Sequence, residues 1–473
     1  MALGKRKRDQ QDLWVATCDL PKSPGHPFYS KLNRLLDEAA FDEFVEGLCK
    51  PHYSDGPGRP GIPPGIYFRM LFIGFFEGLD SQRAIAWRCS DSRSLQSFLG
   101  LGITQPTPDH STLTVIRQRL PLEVHEAVFT FVLSIAKMKK LLKGQSVAID
   151  STFIEADAAM KSIVRRDTGD DWKAYIRTLM AEEGIEDPTD EDIRKFDKKR
   201  KKTVSNKEWT SPTDSDARIM KMKDGRTRMA YKTEHAIDID TDIVLAAGVH
   251  KADESDTATF CETLVKAQAH AMLAGSESQI KDAIADKGYH STDNLVWCEA
   301  SGVRSYIPER ASRWRRKWID KPAECKHAVY GNRRRVRGGR GKRLGKLRSE
   351  YVERSFAHVC RTGGARRSWL RGLEDVTKRY LMCVAGRNLG VIMRSLFGMG
   401  KPKTLQAEGA GGFRLIWSAI VAVGRGFRSF CDWVAHHIEL AESSVSEIAA
   451  YYVDFIARRN MKPAEIGNSS TGC

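Results

Sequence analysis

A chain of 473 residues, 41% hydrophobic and 29% charged, has room for about three domains and a sizeable core, which excludes a fibrous or wholly disordered protein. Lys and Arg number 76 against 60 Asp and Glu, and this formal charge of +16 points to an extended polyanion as partner, most simply nucleic acid. Ten cysteines without a CxxC pair exclude a zinc ribbon or disulfide framework, and the longest apolar runs, Ile66–Phe76 and Leu415–Gly424, are too short for a membrane span or carry an arginine.

No apolar run and cleavage site follow Lys5-Arg6-Lys7-Arg8, so no secretory leader is expected and the cytoplasm is the simplest compartment. Residues 1–54 read as a polar segment, and the turn-forming Gly56-Pro57-Gly58-Arg59-Pro60-Gly61 breaks any helix after it. Ile66–Phe76 is apolar nearly all round, as in a buried helix. Short helical patterns follow at 81–90, 92–99 and 111–120, the last with Asp109 and Ser111 as its start signal. Residues 55–140 are therefore expected to form an all-helical domain, of helix-turn-helix type if it reads DNA.

At Ser146-Val147-Ala148-Ile149-Asp150 the pattern changes to a short buried strand that ends in a carboxylate. Residues 158–225 are polar, with seven Lys or Arg in positions 194–202, and read as an insertion or mobile arm. Strands are expected at 230–239 and 243–249 around the turn Asp240-Thr241-Asp242, then a helix with Phe260, Leu264, Ala267 and Ala271 on one face. A strand over 280–285 runs into Asp286, followed by a helix near 291–300 and a strand near 303–307. Residues 310–348 hold 16 Lys or Arg and only Asp320 and Glu324 as acids, so they read as an unpacked basic insertion. A helix is expected to open at Tyr351, with further helices over 373–397 and 413–460. The whole suggests an α/β mixed-sheet domain over 141–395 and a helical C-terminal region over 396–473.

Asp150 and Asp286 each end an apolar strand, where ligands of open α/β sheets gather, and Glu353 begins the helix after the basic stretch. Three hard oxygen donors without nearby Cys or His suit Mg²⁺ or Mn²⁺. Two such ions about 3.5–4 Å apart can serve the attacking and leaving oxygens of a phosphodiester. Taken singly, each acid also reads as a turn, cap or helix-dipole residue, and spacings of 136 and 67 residues leave both readings open.

The three acidic blocks, Ala148-Ile149-Asp150-Ser151-Thr152, Ala285-Asp286-Lys287-Gly288-Tyr289-His290-Ser291 and Tyr351-Val352-Glu353-Arg354-Ser355-Phe356, resemble those of bacterial insertion-sequence transposases of the DDE class, of the IS-five and IS-eleven-eighty-two type. Gly58-Arg59-Pro60-Gly61 and Pro108-Asp109-His110-Ser111-Thr112 resemble that family's N-terminal helical domain, and Tyr231-Lys232-Thr233 and His250-Lys251-Ala252-Asp253 its intermediate strands. The resemblance implies a ribonuclease H-like catalytic core with Asp150 on its first strand, Asp286 after its fourth and Glu353 on a late helix. It implies that these three are the metal ligands for cleavage at transposon ends and for strand transfer. It also implies terminal inverted repeats and target DNA as partners, a homodimer on DNA, no membrane, and a place beside the bacterial nucleoid.

This chain departs from the family around the third acid. Lys seven residues beyond it is replaced by Cys360, while Lys346 and Ser349 stand where Tyr and Arg are usual. Phosphate contact then falls to Arg354, Arg361, Arg366 or Arg367, with Lys287 beside the second acid and Arg333, Arg334 and Arg335 in the basic stretch as further DNA-binding candidates. Trp314 and Trp318 can stack a base or anchor the insertion. Asp256 reads as a helix-start residue, and His436-His437 as structural. Two rival readings are a nuclease of the same fold that cuts without joining and a non-catalytic DNA-binding repressor.

Overall fold

Pro27 and Pro64 stand in the first turns of their helices, where a missing N–H costs no hydrogen bond. Ser81, Ser92 and Asp109 start three more by accepting hydrogen bonds from early backbone N–H groups. In the computed structural model, which describes residues 14–16, 18, 25–54, 61–199, 204–311, 318–319 and 321–403, the first part of the chain is all helix. It comprises α1 (Pro27–Glu38), α2 (Phe41–Cys49), α3 (Pro64–Glu77), α4 (Gln82–Ser90), α5 (Arg93–Phe98), α6 (His110–Arg119) and α7 (Leu122–Met138). The apolar α3 buries Tyr67, Phe68, Phe72 and Phe76. Its arginine, Arg69, is buried among them and is satisfied by Asp42, by Asp37 at 3.3 Å and by Asn33 Oδ1 at 3.2 Å.

Beyond α7 the chain forms β1 (Ser146–Glu155), β2 (Val164–Arg165), α8 (Trp172–Glu182), α9 (Asp190–Lys199), β3 (Trp209–Thr210), β4 (Arg218–Lys221), β5 (Thr227–Asp238) and β6 (Val244–Lys251). Then come α10 (Asp256–Leu273), β7 (Asp282–Ala285), α11 (Thr292–Ala300), β8 (Arg304–Tyr306), α12 (Ala323–Arg337), α13 (Gly339–Phe356) and α14 (Leu373–Phe397). Strands β6, β5, β1, β7 and β8 lie side by side in that order. The pairs β6–β5 and β5–β1 are antiparallel, whereas β1–β7 and β7–β8 are parallel. β4 prolongs the β6 edge, since Ala230 faces Arg218 and the next residue, Tyr231, faces Lys251. This is the mixed sheet of the ribonuclease H-like core that the resemblance implies.

Alternation along β5 assigns its side chains to opposite layers. His235 shares hydrogen bonds with Ser355 Oγ of α13 at 2.9 Å and Tyr380 Oη of α14 at 2.8 Å. Its neighbour Glu234 faces the other way and accepts from Thr259 of α10 at 2.9 Å. Helices α7 and α3 pack on α14, so the helical front and the sheet share one compact unit, Met1–Pro402. The expected C-terminal helical region lies outside the described residues from position 404 onward, as do Trp314 and His436-His437.

Three local expectations change. Residues 310–348, read as unpacked, contain α12 and most of α13, because their cations meet carboxylates and carbonyls distant in sequence. Arg333 bridges Glu309 at 3.0 Å, Arg335 donates to the Ser305 carbonyl at 3.0 Å, and Arg340 reaches Asp282. Trp318 rests on the Tyr330 ring of α12 at 6.0 Å, which favours an anchoring role. Glu353 lies in the last turns of α13, which starts at Gly339, rather than opening a helix. The 158–225 insertion has its own small core of Ile176, Met180 and Ile193, closed by Trp172, Tyr175, Leu179 and Phe196.

Candidate functional site

Asp150 sits midway along β1, which runs on to Glu155 in antiparallel pairing with β5 instead of ending at the acid as expected, and is in register with His235. Its Oδ1 accepts from the Ser151 N–H at 2.8 Å, and its other oxygen pairs with the guanidinium of Arg348 from α13. Burial pushes the carboxyl above its ordinary range, Arg348 and the Ser151 N–H oppose that, and the negative charge of Asp286 adds to it. Asp150 and Asp286 are therefore electrostatic neighbours.

Asp286 follows β7 and caps a single 3₁₀ turn, Lys287–Tyr289, by accepting from the Gly288 N–H at 2.6 Å. Glycine at 288 leaves room for both neighbouring carboxylates. A Cβ there would stand 2.8 Å from Asp286 Oδ1 and 2.6 Å from Asp256 Oδ2, so two carboxylates close over the bare backbone. Asp256, the first residue of α10, also accepts from Ser151 Oγ at 3.0 Å and pairs with the buried Lys232 at 3.4 Å. Beneath this turn, Tyr289 Oη donates to the buried Glu234 at 2.7 Å.

Glu353 is exposed and has no ion pair or side-chain hydrogen bond among the described residues. It lies between Arg348, which reaches Asp150, and Ser355 and Phe356, which bind and stack on His235. The turn that carries it is thus beside the Asp150 level of the sheet, while its carboxylate is directed to solvent. Among the described residues no three His, Cys, Asp or Glu stand in a ready-made metal cluster.

The basic candidates divide into two sets. Arg354 pairs with Glu350 at 2.6 Å and Asp242 at 3.6 Å, Arg367 lies 4.0 Å from Glu155, and Arg333 and Arg335 are tied within the chain as described above. Lys287, Arg334, Arg361 and Arg366 are exposed, and their side chains have no partner among the described residues. Sequence reasoning missed Arg348 as a partner of Asp150 and assigned Asp256 only to its helix start. The signal for Asp256 is a carboxylate following an edge strand, which is weak by itself.

Asp150 and Asp286 follow the last paired residues, Ile149 and Ala285, of the two adjacent parallel strands, a place where ligands of α/β sheets gather. Residues 142–389, more than half of the chain, match the transposase DDE domain, and residues 18–119 match a second family described as Transposase domain (DUF772). The chain belongs to the DDE transposases of insertion sequences, enzymes that act on DNA and as a family use divalent metal. No curated protein and no solved structure gives a match to it. No helix among the described residues is long and apolar enough to cross a membrane.

Proposed function

We propose that Asp150, Asp286 and Glu353 are the carboxylates with which this transposase holds its divalent ions, two Mg²⁺ or Mn²⁺ per site. The observation that carries the reading is the pairing of Asp150 with Asp286. Their charges stand close together where β1 and β7 run parallel, and Arg348 and the Ser151 N–H compensate Asp150. The donors are hard oxygens with no thiol or imidazole among them, which fits a hard dication. Bound ions of this kind make an attacking oxygen more nucleophilic and stabilise the leaving oxygen.

Asp150 and Asp286 supply fixed charge from a rigid sheet, and Glu353 adds its carboxylate from the neighbouring helical turn. Water attacks a phosphodiester at the transposon end and leaves a 3′-hydroxyl; that hydroxyl then attacks a phosphodiester of the target. Lys287, Arg361 and Arg366, with Arg334 further along, are free to contact the backbone, while Arg354, Arg367, Arg333 and Arg335 would exchange their present partners to do so. The helical front over 55–140 reads the terminal inverted repeats, and two copies act together on paired ends.

The test is cleavage of an end-containing duplex by Asp150→Ala, Asp286→Ala and Glu353→Gln. Each should lose Mg²⁺-dependent cleavage at least a hundred-fold while retaining DNA binding. Undiminished cleavage by Glu353→Gln would remove that residue from the set; undiminished cleavage by either aspartate variant would overturn the site.

A further inference from the structure

At the opposite end of β1 and β7 from the carboxylates lies a cavity of about 710 Å³. Four cations line it, Lys281, Arg304, Arg340 and Arg343, against the two carboxylates Asp240 and Asp282. Asp282 is buried and already committed: it accepts from Arg304 Nε at 2.7 Å, from Arg340 Nη2 and from Ser146 Oγ at 3.2 Å. One buried acid thus orients two guanidinium groups whose side chains remain half exposed, at 51% each. A guanidinium has five N–H donors in a fixed fork, so each keeps donors for a second anion. Lys281 and Arg343 are exposed and have no side-chain partner among the described residues.

The cavity is joined to the cleavage centre by α13. Arg340 binds Asp282 at one end of this helix, and Arg348 binds Asp150 eight residues later, about 12 Å along the axis. The strand agrees, since Ser146 and Asp150 are four residues apart, about 13 Å. The offset corresponds to about four base-pair rises of 3.4 Å.

We infer that this cavity is a phosphodiester subsite, built to grip the backbone of the DNA about four base pairs from the bond being cut. The offset rests on the reading of Asp150 and Asp286 as the cleavage centre; the presence of the subsite does not. Such a site fixes the register of the duplex along α13 through phosphate contact alone, without reading sequence.

The decisive variant is Lys281→Glu with Arg343→Glu, which breaks no hydrogen bond or ion pair among the described residues. Binding of a duplex of about 30 base pairs is measured across salt concentrations, with a mononucleotide as the small-anion probe. The expected result is a roughly ten-fold loss of duplex affinity and a log–log salt slope shallower by about two, with Lys281→Arg and Arg343→Lys restoring both. Unchanged affinity and slope in the folded double variant would overturn the subsite. So would a mononucleotide that binds the parent protein as tightly as the duplex does. A failed triad shows itself separately, as metal-dependent cleavage surviving in Asp150→Ala while the salt slope still depends on Lys281 and Arg343.

Discussion

The guanidinium of Arg348 pairs with Asp150, closing an ion pair between α13 and β1 across 198 positions of sequence. Side-chain exposure of 16% for Arg348 and 27% for Asp150 makes this a partly desolvated pair rather than a surface one. The arginine neutralises Asp150 in this structure, and if Asp150 is a metal ligand as proposed, Arg348 and the ion would compete for it.

Arg348→Gln should therefore tighten divalent binding. Removing a competing charge from a partly buried carboxylate is expected to lower the Mn²⁺ concentration at half-saturation by about five-fold or more, equivalent to about 1 kcal/mol. Titration followed by Mn²⁺ electron paramagnetic resonance reads this directly. A variant that binds Mn²⁺ no better than the parent would show that Arg348 and the metal do not compete.

Tyr289 lies behind the turn that carries Asp286, with its hydroxyl on Glu234, a carboxylate that also accepts from Thr259 and Thr263 and is fully buried. Tyr289→Phe takes one donor from a buried acceptor and loosens the seat of the turn, at a cost of about 1–3 kcal/mol. The expected signature is a higher Mg²⁺ requirement for cleavage with DNA affinity unchanged. A fall in stability alone, with the Mg²⁺ dependence intact, would limit Tyr289 to packing.

The apolar runs that carry the two aspartates are legible in sequence, although β1 continues past Asp150 to Glu155 through residues whose mixed polarity hides the strand. The hairpin around Asp240-Thr241-Asp242, the apolar face of α10 and the all-round burial of α3 follow from the same periodicities. The basic stretch is not legible this way. Charge density reads as solvation, yet Arg333, Arg340 and Arg348 each meet an acid from another element, and such pairing has no local signature. Asp256 fails for a related reason, since Ser151 is 105 positions away and Lys232 lies on a different strand.

Acid should unfold this protein earlier than its carboxylates alone would dictate. Burial holds His125 and His270 down at about 4, against an ordinary value of 6.5. Both are neutral in the fold, hydrogen-bonded to the Pro121 carbonyl at 3.1 Å and the Leu245 carbonyl at 3.0 Å. The unfolded chain takes up their protons near 6.5 and the folded one only near 4, so their stabilising contribution is complete above 6.5 and is lost as pH falls toward 4. At pH 5 the loss is about 2 kcal/mol for each histidine. Urea midpoints measured from pH 7.5 to 4.5 should fall steadily through this window; a flat profile down to pH 5 would contradict buried neutral imidazoles.

Phe75 ties the helical front to the sheet domain by lying where Gly386 of α14 has no side chain. A Cβ on Gly386 would stand 2.8 Å from Phe75 Cδ1 and 3.0 Å from its Cγ, closer than packed carbons approach. Phe75 is 3% exposed. Gly386→Ala should gain helix propensity yet lose more through overpacking, for a net destabilisation of about 1–3 kcal/mol. Adding Phe75→Leu should recover part of that loss, although Phe75→Leu alone is destabilising, so the two changes couple with opposite sign in a double-mutant cycle of urea unfolding. Additive costs would mean that the ring and the glycine do not touch in solution and that α3 and α14 are held together by other contacts.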